Sequence, residues 1–294
     1  MPSLRDLKTR IESVKNTRKI TSAMKMVAAA KLRRAQEQAE AARPYAEAMQ
    51  RLLSNLAAGA ATSGETLPRL LRADITNKPV CVLAITADRG LCGMFNSSII
   101  REARKQVRDL QAKGQDVRIF TVGRKAATAM KRDYANLMIG SLEDIGRKKL
   151  SMEDAVRVQD VLLPMFERGE FDRCIVVYNK FKSAMTQITT ATQLLPVPMP
   201  ETTQTKGEAQ AIVEFEPDAA TVLENLLPRA TAMQMYGILL ETMAGFYGSQ
   251  MTAMDSATRN AGDMINRLTL VYNRTRQAYI TKELIEIISG AEAV

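Results

Sequence analysis

Gly59 is the first glycine of this 294-residue chain, and the run that precedes it constrains the fold more than any other feature. Ala, Leu, Met, Lys, Arg, Gln and Glu dominate that run, all residues that lose little on entering a helix. Ser3 followed by Asp6 offers a capping start. The pattern predicts one helix from Ser3 to about Ala58, roughly 80 Å long at a rise of about 1.5 Å per residue. A compact globule does not contain such a helix. Leu4, Leu7, Ile11 and Val14 fall on a 3-4 repeat, and Ile20, Met24 and Val27 form a second run with a change of phase between them. Pro44 is expected to kink the helix or loosen its hydrogen bonding.

The other end of the chain has the same character. After Pro217 and Asp218, helix is expected almost to the C-terminus, with Ser289-Gly290 as its stop and a start or bend at Pro228. Alternate steps of three and four give a seam of Leu223, Leu226, Ala230, Met233, Gly237, Leu240, Ala244, Tyr247, Met251, Met254, Thr258, Ala261, Ile265, Leu268, Tyr272, Thr275 and Tyr279, with no charged residue on it. The simplest arrangement pairs the two terminal helices as one antiparallel coiled coil. Met24 to Ala30 is then expected beside Met264 to Tyr272. A seam of Met, Ala, Gly and Thr permits close, bendable packing, where Leu and Ile would make a rigid zipper.

Between the helices the period changes. Pro79 to Thr86 reads as a buried strand that runs into Asp88-Arg89-Gly90-Leu91-Cys92-Gly93 and a helix ending at Gly114. Val117–Val122, a strand near Leu137–Ile139, Cys174–Tyr178 and an extended Thr-rich stretch from Met185 to Leu195 alternate with helices from Arg124 and from Ser151 to about Arg168. Strand–helix alternation implies an α/β domain with a largely parallel sheet. The expected organisation is an N-terminal helix over 1–58, an α/β domain over 76–215 and a C-terminal helix over 218–290.

Composition removes several chemistries. There is no His, so triads, HExxH zinc sites and imidazole switches are excluded. Cys81, Cys92 and Cys174 form no CxxC pair, which leaves no zinc ribbon or disulfide framework and suits a reducing compartment. No carboxylate cluster has metal-site spacing, and no cofactor is expected. Asp88 to Gly93 lies where α/β folds bind phosphates, yet it lacks both GxGxxG and GxxxxGK[ST] spacing, so a structural turn is the better reading. Cys92 near a helix start is a remote candidate nucleophile without a His base.

Charge is concentrated instead at the start. Up to Arg34, ten basic residues face only Asp6 and Glu12, a local balance of +8 out of a total of +9. That asymmetry points to an acidic partner: nucleic acid, an anionic membrane or an acidic protein surface.

Three stretches carry a resemblance to a known family. Ile20-Thr21-Ser22-Ala23-Met24-Lys25-Met26-Val27-Ala28-Ala29-Ala30-Lys31-Leu32 resembles the N-terminal helix of the gamma subunits of F-type ATP synthases, the rotary, proton-translocating enzymes. Thr86-Ala87-Asp88-Arg89-Gly90-Leu91-Cys92-Gly93 is similar to that family's central motif, and Ile280-Thr281-Lys282-Glu283-Leu284-Ile285-Glu286-Ile287-Ile288-Ser289-Gly290-Ala291 to its C-terminal signature. The matches fall in family order from end to end.

The resemblance implies a Rossmann-like α/β domain inserted into the coiled coil, and a non-catalytic central stalk present in one copy per complex. It implies alpha, beta and epsilon subunits and the c-ring as partners, no nucleic acid, and membrane association through the c-ring only. It further implies beta-subunit contacts at Met24, Lys25, Arg276 and Gln277, with Asp88, Arg89, Gly90, Cys92 and Gly93 as a structural motif. Without a targeting segment at Met1 or a cysteine-bearing insertion in the central domain, a bacterial enzyme on the cytoplasmic face of the inner membrane is expected. The rival reading is a basic coiled coil that binds nucleic acid, weakened because Tyr45 is the first aromatic residue.

Overall fold

The computed structural model describes residues 3–63, 68–71, 79–146, 149–198 and 219–292. Two long helices, α1 (Leu4–Ser63) and α5 (Ala219–Glu292), bracket a five-stranded α/β region in sequence. The chain divides into two compact units, Met1–Ala30 with Gln250–Val294, and Lys31–Ser249.

In the first unit the two helices pair antiparallel. α1 starts with a capping box, in which the Asp6 N–H donates to Ser3 Oγ at 3.1 Å and the Ser3 N–H donates to Asp6 Oδ2 at 3.2 Å. Lys25 Nζ lies 2.6 Å from Asp255 Oδ1, Thr21 and Thr258 hydroxyl oxygens are 2.8 Å apart, and the Arg18 guanidinium sits against Gly262. Arg10, Ser13 and Val14 line a groove with Met264, Arg267, Leu268 and Val271.

This register corrects the expected one. Met264 to Tyr272 faces the start of α1 and not Met24 to Ala30, a slip of about four helical turns. The expectation set the two chain ends flush, whereas α5 outruns α1. Its alternation of shielded and open positions persists through Met254, Thr258, Ala261, Ile265, Leu268, Tyr272 and Thr275, then ceases. Tyr279, expected on the seam, is 54% exposed, and Ile280 and Leu284 to Ile288 are exposed as well.

Nor is there a phase change in α1. Its stripe runs Leu4, Leu7, Ile11, Val14, Thr21 and Ala28 in one phase, and Ile20 and Val27 point away, 60% and 56% exposed. Polar residues hold the middle of the seam: Thr21 against Thr258, Lys25 against Asp255. An apolar pattern therefore breaks where the packing does not.

In the second unit α1 continues the stripe through Leu32, Ala35, Ala39, Ala42, Met49, Leu53 and Leu56. Pro44 sits on the open side and does not interrupt the helix. The sheet comprises β1 (Val80–Ile85), β2 (Val117–Val122), β3 (Met138–Leu142), β4 (Arg173–Phe181) and β5 (Gln187–Leu195), in the order β3-β2-β1-β4-β5. β5 alone is antiparallel to its neighbour. The helices between are α2 (Phe95–Ala112), α3 (Arg124–Tyr134) and α4 (Met152–Glu167).

β1 is buried on both faces, and its alternation feeds two cores. Cys81, Leu83 and Ile85 join Leu162 and Phe166 of α4 and Leu239 of α5, while Val80, Val82 and Ala84 join Ile99 and Val107 of α2 and Met130 of α3. Between Ala230 and Gly248, α5 is closed in on several sides: Thr231, Met235, Leu239, Thr242 and Phe246, all off the expected seam, are buried. The single stripe predicted there is thus replaced by burial around much of the helix. The helix begins upstream of Pro228 and runs through it, and the Pro228 carbonyl accepts from the buried Gln159 amide at 2.7 Å. It also runs past Gly290, expected as its stop. The boundaries expected at 76, 215 and 218 lie outside the described residues.

Candidate functional site

The segment from Thr86 to Gly93 works as a clasp. Asp88 leaves the end of β1 and accepts two backbone N–H groups, from Arg124 at 2.9 Å and Asp144 at 3.0 Å. One carboxylate thereby ties β1 to the start of α3 and to the turn after β3. Thr86 Oγ1 accepts from the Ala126 N–H at 2.9 Å. Gly123 opposite has φ +94°, and a Cβ there would collide with the Thr86 backbone carbonyl.

Asn96 completes the turn. Its Oδ1 accepts from the Ala87 N–H at 3.0 Å, and its Nδ2 donates to the Arg89 carbonyl at 3.1 Å and to Cys92 Sγ at 3.2 Å. Leu91 and Gly93 take left-handed backbone, φ 62° and 56°, and Gly90 stands 3.9 Å from the Lys125 stem measured from an added Cβ. Arg89 faces outward.

Cys92 is 2% exposed, and burial pushes its thiol up from the ordinary value despite its Asn96 hydrogen bond and the nearby Lys125 charge. A buried thiol that resists ionisation is a poor nucleophile.

A strand order of this kind offers a ligand crevice between the carboxyl ends of β1 and β4. Here the chain's own side chains fill it. Asn179, 2% exposed, donates to the Phe95 carbonyl at 3.2 Å and accepts from Thr189 Oγ1 at 2.7 Å, with Ser98 alongside. Phe246 of α5 packs edge-on to Phe95 at 5.8 Å, and Tyr247 packs edge-on to Phe246. The hydrogen bonds of the motif tie β1 to α2, α3 and the turn after β3. Sequence reasoning placed the turn but not Asn96 or Asn179, whose partners are up to 84 residues away. Among the described residues no cluster of three or more Cys, Asp or Glu side chains is arranged to hold a metal.

The four surface positions lie in the first unit. Lys25 is held by Asp255, which also accepts from Arg259 at 3.1 Å; the Lys25 hydrogen bond pulls the Asp255 carboxyl below its usual range. Met24 is half-buried beside it. Arg276 and Gln277 are both exposed, where the pairing with α1 runs out. The geometry thus gathers Met24 with Lys25, and Arg276 with Gln277, as two separate patches on one helix pair.

The family model described as ATP synthase matches residues 3–294. The ATP synthase gamma chain of Paramagnetospirillum magneticum is 53% identical over 295 residues, with all of both chains covered. This chain belongs to the ATP synthase gamma-chain family. The gamma chain of Rhodospirillum rubrum is 50% identical over 300 residues, again with full coverage of both. Among solved structures, a chain of the Euglena gracilis mitochondrial ATP synthase aligns over 99% of this chain and 94% of its own, at TM-score 0.66 and 19% identity. A chain from the central stalk and c-ring assembly of the Tetrahymena thermophila enzyme aligns over 81% of this chain and 99% of its own, at TM-score 0.58 and 24% identity. These two likenesses establish the fold. Family membership gives no support to the nucleic-acid reading of the basic helix. As a gamma-family chain this is a subunit of a larger assembly, and among the described residues no helix is long and apolar enough to cross a membrane.

Proposed function

We propose that this chain is the central-stalk, rotor-shaft subunit of an F-type ATP synthase. It would couple proton-driven rotation of the c-ring to ATP synthesis and hydrolysis at the alpha–beta hexamer, carrying no catalytic site of its own. The observation that carries the reading is the full-length match to gamma chains combined with a helix pair in which α5 extends past its partner. Single-helix and double-helix stretches present different surfaces around one axis. Such a shaft biases each surrounding beta subunit differently as it turns, and only a differential contact shifts a conformational equilibrium.

Arg276 and Gln277 are suited to beta contacts of this kind. They are exposed, a planar guanidinium fork fits a carboxylate, and the amide both donates and accepts. Met24 and Lys25 form the second candidate contact, for an acidic surface. Epsilon and the c-ring are the proposed partners of the α/β domain, and the cytoplasmic face of a bacterial membrane is the proposed location. Mixing the chain with alpha and beta subunits tests the reading: a complex with ATPase activity supports it, and failure of the chain to associate with the hexamer contradicts it.

A further inference from the structure

Within the second unit, a cleft of about 530 Å³ opens between α5 and the β4–β5 strand pair. Two observations set it apart. The first is Gly237 on its α5 wall. Glycine inside a helix is unfavourable relative to alanine, and close packing usually explains it. Gly245 and Gly248 of the same helix have that explanation, because a Cβ would press on the Phe95 ring and on the Ala184 backbone. At Gly237 an added Cβ meets nothing within 4 Å. The packing of the described residues does not ask for this glycine.

The second observation is Glu241, one turn further on. Its Oε2 is shut off from water and has no hydrogen-bond partner among the described residues. Lys180 and the Phe181 backbone favour the charged form, yet burial dominates and pushes its pKa up. The buried Tyr178 lines the same wall, with Gln193, Gln234 and Ile238 around it.

A single carboxylate, with Lys180 and the Phe181 backbone beside it and amides and apolar surface around it, does not suit a hard metal ion, which takes several oxygen ligands. It suits a cation on a long aliphatic stem. We propose that the cleft is a docking pocket for a Lys or Arg side chain of another subunit of the complex, seated over Gly237 with its charge toward Glu241. The proposal rests on the reading of the chain as part of a multisubunit machine. It adds a contact in the α/β domain, separate from those at Met24, Lys25, Arg276 and Gln277.

The test places p-benzoylphenylalanine at Gln234 of the chain, in purified complex assembled with its partner subunits, and irradiates it. The expected result is a cross-link to a Lys- or Arg-containing peptide of a different subunit. Its yield should fall about tenfold or more in Glu241→Gln, the scale of losing a charged hydrogen bond, and vanish in Gly237→Leu. The isolated Glu241→Gln chain should melt no lower than wild type, since it loses a half-satisfied charge; that separates lost docking from lost folding. A cross-link confined to this chain, or an unchanged yield in both variants, overturns the pocket while the assembled complex still supports the stalk reading. Failure to assemble at all sinks both.

Discussion

Thr21 and Thr258, 237 residues apart in sequence, bring their hydroxyl oxygens to 2.8 Å across the helix pair. One turn along, Lys25 meets Asp255, and together the two contacts fix the register. A half-buried hydroxyl pair within the seam, flanked by an exposed ion pair, specifies alignment more sharply than interchangeable apolar layers do.

Cysteine cross-linking reads that register directly. Thr21→Cys with Thr258→Cys should form a disulfide under mild oxidation, whereas Thr21→Cys with Tyr272→Cys should not. The native cysteines are buried and leave the background clean. Bonding of the second pair alone would contradict the packing described.

The clasp residue Asp88 should matter to stability more than to chemistry. Each hydrogen bond to a charged group is worth about 1.5–3 kcal/mol, so losing both acceptor contacts in Asp88→Ala should cost about 3 kcal/mol in denaturant unfolding. Asp88→Asn keeps one carbonyl acceptor and should cost less. An Asp88→Ala chain as stable as wild type would show the clasp to be incidental.

Two glycines with positive φ should respond differently to the same change. Gly114 (φ +72°) has open space, so Gly114→Ala pays backbone strain alone, about 1–2 kcal/mol. Gly123→Ala adds a collision with the Thr86 carbonyl and should unfold the α/β domain or cost more than about 4 kcal/mol. Equal melting points for the two variants would contradict the geometry.

What was legible in the sequence followed from periodicity. β2 and the start of α3 fall where alternation and Gly123 put them, and the α5 stripe from Met254 to Thr275 was visible because its shielded positions are small or apolar. α1 was misread where Thr21 and Lys25 occupy the seam, since a pattern of apolar residues cannot register a hydroxyl pair or an ion pair. α5 between Ala230 and Gly248 was misread for the opposite reason: with apolar side chains around much of the helix, no stripe marks its inner face. The Asp88–Gly93 turn could be located from its glycines. Asn179, which fills the crevice, gives no local signal, because its role is set by Phe95, Ser98 and Thr189.

Alkaline pH should probe the wall of the cleft. Burial, then the Glu241 charge, pushes the Tyr178 phenol up to about 12. The folded state holds this proton more tightly than the unfolded chain, whose phenol titrates near 10. Stability should therefore fall as pH rises past about 10 and level off beyond about 12. Tyr178→Phe should flatten that part of the alkaline limb in melting curves; an unchanged limb would place the titration elsewhere.

Arg276→Ala with Gln277→Ala should leave the helix content of the isolated chain unchanged, since both side chains are exposed and alanine is the better helix former. In the complete enzyme the pair should impair assembly or ATP turnover. Wild-type behaviour in both would make these residues ordinary surface.

Rotation of the shaft is the central claim, and a single-molecule measurement addresses it. Met185 is 83% exposed on the α/β domain, so Met185→Cys offers one accessible thiol among buried cysteines. A bead attached there, on complexes immobilised through the alpha–beta hexamer, should turn in one direction when ATP is added, with one step for each beta subunit passed. A bead that stays fixed while the same complexes hydrolyse ATP would contradict the account.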